Sequence, residues 1–438
     1  MKKRTIILSI ALLGGMVLLA GCQKKESAAA AAPQTVSDAP TAPEPVTITV
    51  WCWDPTFNVY AMNEAAKIYR QDHPNITINV VETAWDDIQQ KLTTSLSANQ
   101  TGNLPDILLM QDNAIQKNVS TFPKGFLSIE GKIDVSQFAQ YKVNVATIDG
   151  KPYGVPFDNG ASATFLRRDI VEQAGLQVSD FNEITWDRFI ELGKIIKDKT
   201  GVSMISAVGN ENDVVPAMLQ SAGAWFFDAE GKVNIANNAA LKEAARVYKA
   251  MVDAGIFMLV ADWNAYIASL KNIASTVNGC WIIGSITANA DQSGKWAVAT
   301  TPRLNIPGGT NYSSVGGSSW VVMANSKNPD VAMDFLNATF AGSSQFYDAI
   351  LPSSGAIATW LPASKSSVYG EANAFFGGQK IYADIVDYAG KVPQIKYGMF
   401  NYEARNNVAL ALADIANGTA IDAALAKAQK DTEFLIGQ

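Results

Sequence analysis

The sequence predicts an α/β fold in two lobes, and three observations predict it. From Val46 onward, strand-like and helix-like segments alternate in the order that gives a parallel sheet. A second alternation follows the turn-rich stretch Asp149-Gly150-Lys151-Pro152. The length from Val46 to Gln438 is enough for two cores, and 48% hydrophobic with 17% charged residues suits packed globular structure.

Each element rests on its own pattern. Val46 to Trp51 alternates apolar and polar residues at period two, a strand signal that Asp54-Pro55 ends. Val59, Met62, Ala66 and Tyr69 then recur at helical steps up to His73-Pro74. Ile76, Ile78 and Val80 alternate again, and Ile88, Leu92 and Leu96 mark a second helix. Pro105 to Met110 is a continuous apolar run, as expected of a strand covered on both faces. In the second stretch, helices are expected at Trp186–Lys199, Asp213–Ala222, Asn238–Ala254 and Asp262–Lys271. Strands are expected at Ala161–Arg167, Ser203–Val208, Ser275–Ile283 and Trp320–Met323. Asn328-Pro329 opens a helix to Phe340. Ala404, Val408, Leu412 and Ile415 share one helical face, Gly418 suits the end of that helix, and a last helix runs from Ile421 to Leu435.

The N-terminus bears on compartment. Lys2, Lys3 and Arg4 precede an almost purely apolar run from Thr5 to Ala20, the layout of a secretory signal peptide over residues 1–21. The run ends in Leu19-Ala20-Gly21-Cys22, which looks like a bacterial lipobox, implying cleavage before Cys22 and acylation of that residue. Residues 22–45, with five successive alanines and four prolines, have little to bury and read as a disordered tether. Nothing later reaches the roughly 18 unbroken apolar residues of a spanning helix, so contact with a bacterial membrane is expected through the lipid alone.

Charge and composition exclude several classes. Losing Lys2, Lys3 and Arg4 takes the formal charge from −7 to −10, and no basic stripe offers itself to nucleic acid. Of the remaining cysteines, Cys52 and Cys280 lie in apolar strand-like runs; a disulfide is open to an exported protein, but two buried free thiols are expected. One histidine, His73, beside a helix-ending proline, offers neither a triad nor a zinc site, and no nucleotide motif occurs, so no catalytic residue, metal or cofactor is expected. Gly308-Gly309 and Gly316-Gly317 read as turns.

The tryptophans point to a ligand. Trp53, Trp85, Trp225, Trp281 and Trp320 fall at strand ends or in Gly/Asn/Asp-rich loops. An indole face suits the C–H surface of a pyranose, and Asp54, Glu82, Asp112, Asp158 and Asn159 are the nearby polar candidates for its hydroxyls. Two rivals are weighed. A glycoside-acting enzyme needs a facing carboxylate pair, and nothing singles one out. A binder of an amino acid, peptide or polyamine is the other; an amino-acid site needs an arginine clamp, and Arg303 is the one arginine expected near an aromatic-rich loop.

With these residues in view, the chain resembles the family 1 extracellular solute-binding proteins, the maltose-binding-protein-like carbohydrate group. The carriers are Val-Trp-Cys-Trp-Asp at 50–54, Leu-Pro-Asp-Ile at 104–107, and Asp-Gly-Lys-Pro-Tyr-Gly-Val-Pro-Phe-Asp at 149–158. Thr-Trp-Asp-Arg-Phe at 185–189, Ala-Gly-Ala-Trp-Phe-Phe-Asp at 222–228 and Asn-Gly-Cys-Trp at 278–281 continue the series. Gly-Gly-Ser-Ser-Trp at 316–320 and Gly-Thr-Ala-Ile-Asp-Ala-Ala-Leu at 418–425 close it. The resemblance implies a periplasmic-binding-protein fold of type II-like form, with hinge crossings and a ligand cleft between lobes. It implies crossings near Val155–Asp158, Val315–Trp320 and Leu351–Gly355. One lobe would then be 46–156 plus 316–350, the other 157–315 plus 351–438. It also implies a monomer that binds a sugar or oligosaccharide outside the cytoplasm and hands it to ABC permease membrane subunits. By likeness of position, Trp281 stacks on sugar, Asp112 binds hydroxyls, Trp53-Asp54 forms the first ligand loop, and Tyr397 or Phe400 supplies a C-terminal aromatic. The Trp85 loop and the 316–320 segment depart from maltose-binding protein, so maltose is not implied as the ligand.

Overall fold

Strands made of continuous apolar residues need cover on both faces, and the first sheet has it. The structure, a computed structural model, describes residues 44–209 and 213–437; the leader, Cys22 and the tether up to residue 43 lie outside them. Residues from Glu44 onward form one compact unit. The first lobe starts with β1 (Val46–Cys52), α1 (Asn58–Tyr69), β2 (Ile76–Glu82), α2 (Trp85–Ser97), β3 (Ile107–Gln111) and α3 (Asp112–Thr121). It continues with α4 (Gln140–Val145), the short strands β4 (Thr147–Ile148) and β5 (Lys151–Pro152), and β6 (Gly154–Pro156). The second holds β7 (Ala161–Arg167), α5 (Arg168–Gln173), α6 (Trp186–Thr200), β8 (Ile205–Val208), α7 (Val214–Ser221) and α8 (Ala239–Asp253). Next come β9 (Phe257–Val260), α9 (Trp263–Ser269), β10 (Ser275–Gly279), α10 (Ile283–Thr287), β11 (Trp296–Ala299) and β12 (Ser313–Ser314). The chain then adds β13 (Ser318–Val322), α11 (Pro329–Thr339), α12 (Ser344–Ser354), α13 (Ile381–Ala389), α14 (Asn401–Ala416) and α15 (Ile421–Ile436).

The first sheet has the order β2-β1-β3-β13-β6. Its β1 pairs in parallel with β2 and β3, while β13 returns from the other lobe antiparallel to β3 and β6. Alternation along β3 sorts its side chains: Ile107 and Leu109 enter one core, Leu108 and Met110 the core under α2 and α3. The second sheet centres on β7, flanked by β10 and β11 with β12 at one end, all antiparallel to it. The helices α6, α7, α8, α14 and α15 enclose a separate core around Trp186, Tyr248 and Leu412.

Most element boundaries follow the sequence pattern, and the departures have local causes. The strand expected at Ser275–Ile283 stops at Gly279; Cys280–Ile282 form a 3-10 turn leading into α10. The buried face of α1 turns toward Asn58, Ala61, Met62, Ala65 and Tyr69. It does so because buried Asn58 accepts the backbone N–H of Trp53 at 2.9 Å and of Asp54 at 3.0 Å. Cys52 and Cys280 are both buried and free.

Trp320 corrects the loop reading. It lies mid-strand in β13 and is fully buried, its ring 5.5 Å from Phe157 and 5.3 Å from Phe340. The two-residue period of a central strand aims it into the interior, away from any cleft. Trp320→Ala is expected to lower unfolding stability by about 3–5 kcal/mol, measured by denaturant titration, because it removes a fully buried, packed indole.

Candidate functional site

The chain passes between the sheets three times at one place. Phe157 to Gly160 leads from β6 to β7, and Val315 to Gly317 leads back from β12 to β13. These segments bond to each other through Val315 N–H to Gly160 O at 2.8 Å and Phe157 N–H to Ser318 O at 3.0 Å. The third passage follows Gly355, where Asp158 bridges to Ala358 and the Thr359 hydroxyl donates to Pro156 O at 2.8 Å.

A cleft of about 650 Å³ opens above these crossings, lined from both lobes. From the first lobe come the loops at the carboxyl ends of β1, β2 and β3, where parallel sheets place ligands. They bring Trp53 and Asp54, then Trp85, then Gln111 and Asn113. The Trp53 and Trp85 rings meet at 5.4 Å, tilted by 57°. Asp54 spends one oxygen on the turn, accepting Thr56 N–H at 2.9 Å and Phe57 N–H at 3.0 Å. From the second lobe come Trp225, Trp263, Trp281 and Tyr397. Trp281 lies 5.7 Å from Trp263 and donates its indole N–H to Val315 O at 2.9 Å, so the returning crossing fixes the ring. Trp225 packs edge-on against Tyr397 at 5.0 Å and donates to Asn401 Oδ1 at 2.8 Å.

Thus Trp53, Asp54, Trp85, Asp158, Trp225, Trp281 and Tyr397 share one crevice. The other polar candidates lie elsewhere. Glu82 ends β2 on the exposed surface and does not line the cleft. Asn159 is buried behind the crossing, accepting from the Tyr141 hydroxyl and from Ala161 N–H at 3.1 Å. Asp112 lies below the floor, ion-paired to buried Lys142 and accepting the Ser319 hydroxyl at 2.9 Å. Phe400 packs against the second core outside the cleft.

Sequence reasoning missed Trp263, Lys117, Asp213, Tyr402 and Arg405, all of which line the cleft. Trp263 was hidden in a helical stripe, although its position right after the cap Asp262 marks it as a helix-start residue. Arg405 also corrects the expectation that Arg303 was the arginine to watch. Its Nη2 donates to Asp213 Oδ1 at 2.6 Å, and Lys117 pairs with Glu403, so both cleft cations face carboxylates. Asp54, Asp86 and Asp158 add further negative charge. Among the described residues no group of side chains suits a metal ion.

Asp158 is the chemically unusual member. Ser318 donates to its Oδ2, while its buried Oδ1 has no partner. Burial pushes its carboxyl up to about 6 against the pull of the Lys142 ammonium and the Ser318 hydroxyl, and the Asp112 charge adds to the rise. Gly317, at φ +101°, makes this packing fit: a Cβ there would sit 2.5 Å from Lys142 Nζ and 2.7 Å from Asp112 Oδ2.

Two lobes, three crossings and a solvent-open cleft of aromatic and polar side chains define a solute-binding protein. The sequence profile described as bacterial extracellular solute-binding protein matches residues 64–368, and the chain belongs to that family. It is 41% identical over 380 residues to the lactose-binding protein of Rhizobium radiobacter, covering 86% of this chain and 90% of that one. The GacH receptor of Streptomyces glaucescens, solved unliganded and with acarbose, superposes with TM-score 0.75 at 19% identity over 90% of this chain and 99% of that one. An ABC transporter associated binding protein of B. animalis subsp. lactis, solved with beta-1,6-galactobiose, gives 0.71 at 22% identity over 88% and 96%. The fold is therefore the two-lobed fold of these extracellular binding proteins. Among the described residues no helix is long and apolar enough to cross a membrane.

The Asp158 carboxyl has a consequence for stability. An unfolded aspartate titrates near about 4, the folded one near 6, so between these values the folded chain holds more protons and gains stability as pH falls. The melting temperature of the parent minus that of Asp158→Asn should rise as pH is lowered from neutral to about 4; a difference that stays flat removes the buried ionised carboxylate from the account.

Proposed function

We propose that the chain captures a neutral sugar or short oligosaccharide outside the cytoplasm and presents it to an ABC importer, without chemistry of its own. The observation that carries this reading is the pair of indole sets, Trp53 with Trp85 and Trp263 with Trp281, brought to one polar cleft from opposite lobes. Indole faces lie against the axial C–H groups of a pyranose, and a few convergent polar groups take the hydroxyls at its edge. Asp158 lines the cleft floor, and its carboxylate is one candidate acceptor for such a hydroxyl once ligand entry reaches it. The acidic lining, with Lys117 and Arg405 already facing carboxylates, disfavours anionic solutes and leaves no clamp for an amino-acid carboxylate.

Mechanism follows from the crossings. Contacts that a sugar makes to both lobes exist together only when the lobes are closed, so binding shifts the equilibrium to the closed form, which a permease then recognises. The 41% identical relative is a lactose-binding protein, which makes lactose the first probe. Acylated Cys22 would hold the protein at the membrane surface.

Calorimetry of the chain against lactose, other mono- and oligosaccharides, an amino acid and spermidine tests the solute class. Saturable sugar binding is expected, with Trp281→Ala weakening the best sugar about tenfold or more; an unaffected Trp281→Ala, or binding of spermidine alone, overturns the stacking assignment. For the anchor, Cys22→Ala is expected to move the protein from the membrane to the soluble fraction on centrifugation.

A further inference from the structure

Helix α14 belongs to the second lobe, where Ala404, Val408, Leu412 and Ile415 enter the core. Its first turn nevertheless reaches across to the first lobe. The Tyr402 phenol is 2.8 Å from Gln111 Oε1 and 2.9 Å from Asn113 Oδ1, and it accepts the indole N–H of Trp85 at 3.3 Å. A phenol has one hydrogen to give, so the two amides share it, one accepting while the other turns its NH2 toward the oxygen. The next residue, Glu403, pairs with Lys117 of α3. Asn401, at the start of the same turn, accepts from Trp225 on its own lobe at 2.8 Å. One helical turn therefore touches a cleft indole from each lobe.

We propose that Tyr402 and Glu403 form an interlobe latch, positioning residues that orient the Trp85 ring from the opposite lobe and bias the lobes toward closure by direct protein–protein bonds. Trp53 meets Trp85 at a tilt, which leaves the edge of the Trp85 ring to be fixed by another group, and Tyr402 supplies it. When the lobes part, Trp85, Gln111 and Asn113 stay with the first lobe and the phenol leaves with the second. The aromatic platform that meets the ligand is thus completed by closure itself. Apparent affinity scales with the closed fraction, so a latch made of protein–protein bonds raises affinity through closure. The Lys117–Glu403 part is half-exposed and weakens as salt screens it.

The latch concerns the lobes and rests on the sugar reading only for its affinity arm. The test uses the full chain with Cys22→Ser, labelled with a dye pair at Lys124→Cys on the first lobe and Lys430→Cys on the second, both exposed while Cys52 and Cys280 are buried. Energy transfer is read with and without saturating lactose, and lactose affinity by calorimetry. Without sugar, Tyr402→Phe and Glu403→Gln should each lower transfer, and lactose should restore it. Affinity should fall about three- to tenfold for Tyr402→Phe, and the swap Lys117→Glu with Glu403→Lys should regain the transfer that each single change loses. If the double variant Tyr402→Phe, Glu403→Gln transfers like the parent without sugar, the latch is overturned, even where affinity has fallen. A parent that binds no lactose counts against lactose as the solute, while the sugar-free transfer still decides the latch.

Discussion

One buried ammonium holds the place where the lobes meet. Lys142, on α4, is almost fully enclosed, pairs with the Asp112 carboxylate and also donates to Ser318 O at 3.4 Å. An ion taken out of water costs several kcal/mol unless its partners are in place. Asp112 sits at the start of α3, Ser318 and Ser319 at the start of β13, and Asp158 on the outgoing crossing. The cost of stranding Lys142 therefore ties three chain segments to one geometry. The cleft floor, the Trp281 ring and the position of β13 all descend from that junction.

The chemistry of the floor and that of the walls divide along the same line. Below the crossings, charge is buried and satisfied within the protein, apart from Asp158 Oδ1. Above them, the Trp53, Trp85 and Trp281 rings are part-exposed and Trp225 is buried, and each indole edge with a partner is held by protein: Trp281 by Val315 O, Trp225 by Asn401, Trp85 by Tyr402. Ring faces remain for a solute while ring edges are spent on orientation. Such preorganisation lowers the ordering cost of binding.

Much of the fold was legible because local rules and tertiary structure agreed. β7 occupies Ala161–Arg167, where the sequence reads as strand-like, and α8 starts where Asn238 caps it through Leu241 N–H. Local rules failed where two elements meet without a loop. α3 begins at Asp112, directly after β3, so its helix left no turn signal, and the strand through Ser275 ends at Gly279 for the packing of Trp281 against it. The site was half legible. Trp53, Trp85, Trp225 and Trp281 stand in loops or at helix starts and line the cleft, but the same reasoning misplaced Trp320, whose strand is central. Asp112 and Asn159 were near the right place on the wrong side of the floor. Lys142, Tyr402 and Arg405 gave no signal, since their partners lie 30, 291 and 192 residues away and meet them only through tertiary structure.

Both described thiols bear on how such a chain matures. Cys52 and Cys280 are free, enclosed and pushed up to about 12, with burial the main cause, so neither forms appreciable thiolate near neutrality. Without thiolate there is no attack on a disulfide and no foothold for an oxidant. Neither residue contributes a covalent tie to the described fold. The described fold is accordingly indifferent to the redox poise of its surroundings, and its assembly outside the cytoplasm requires no oxidising partner.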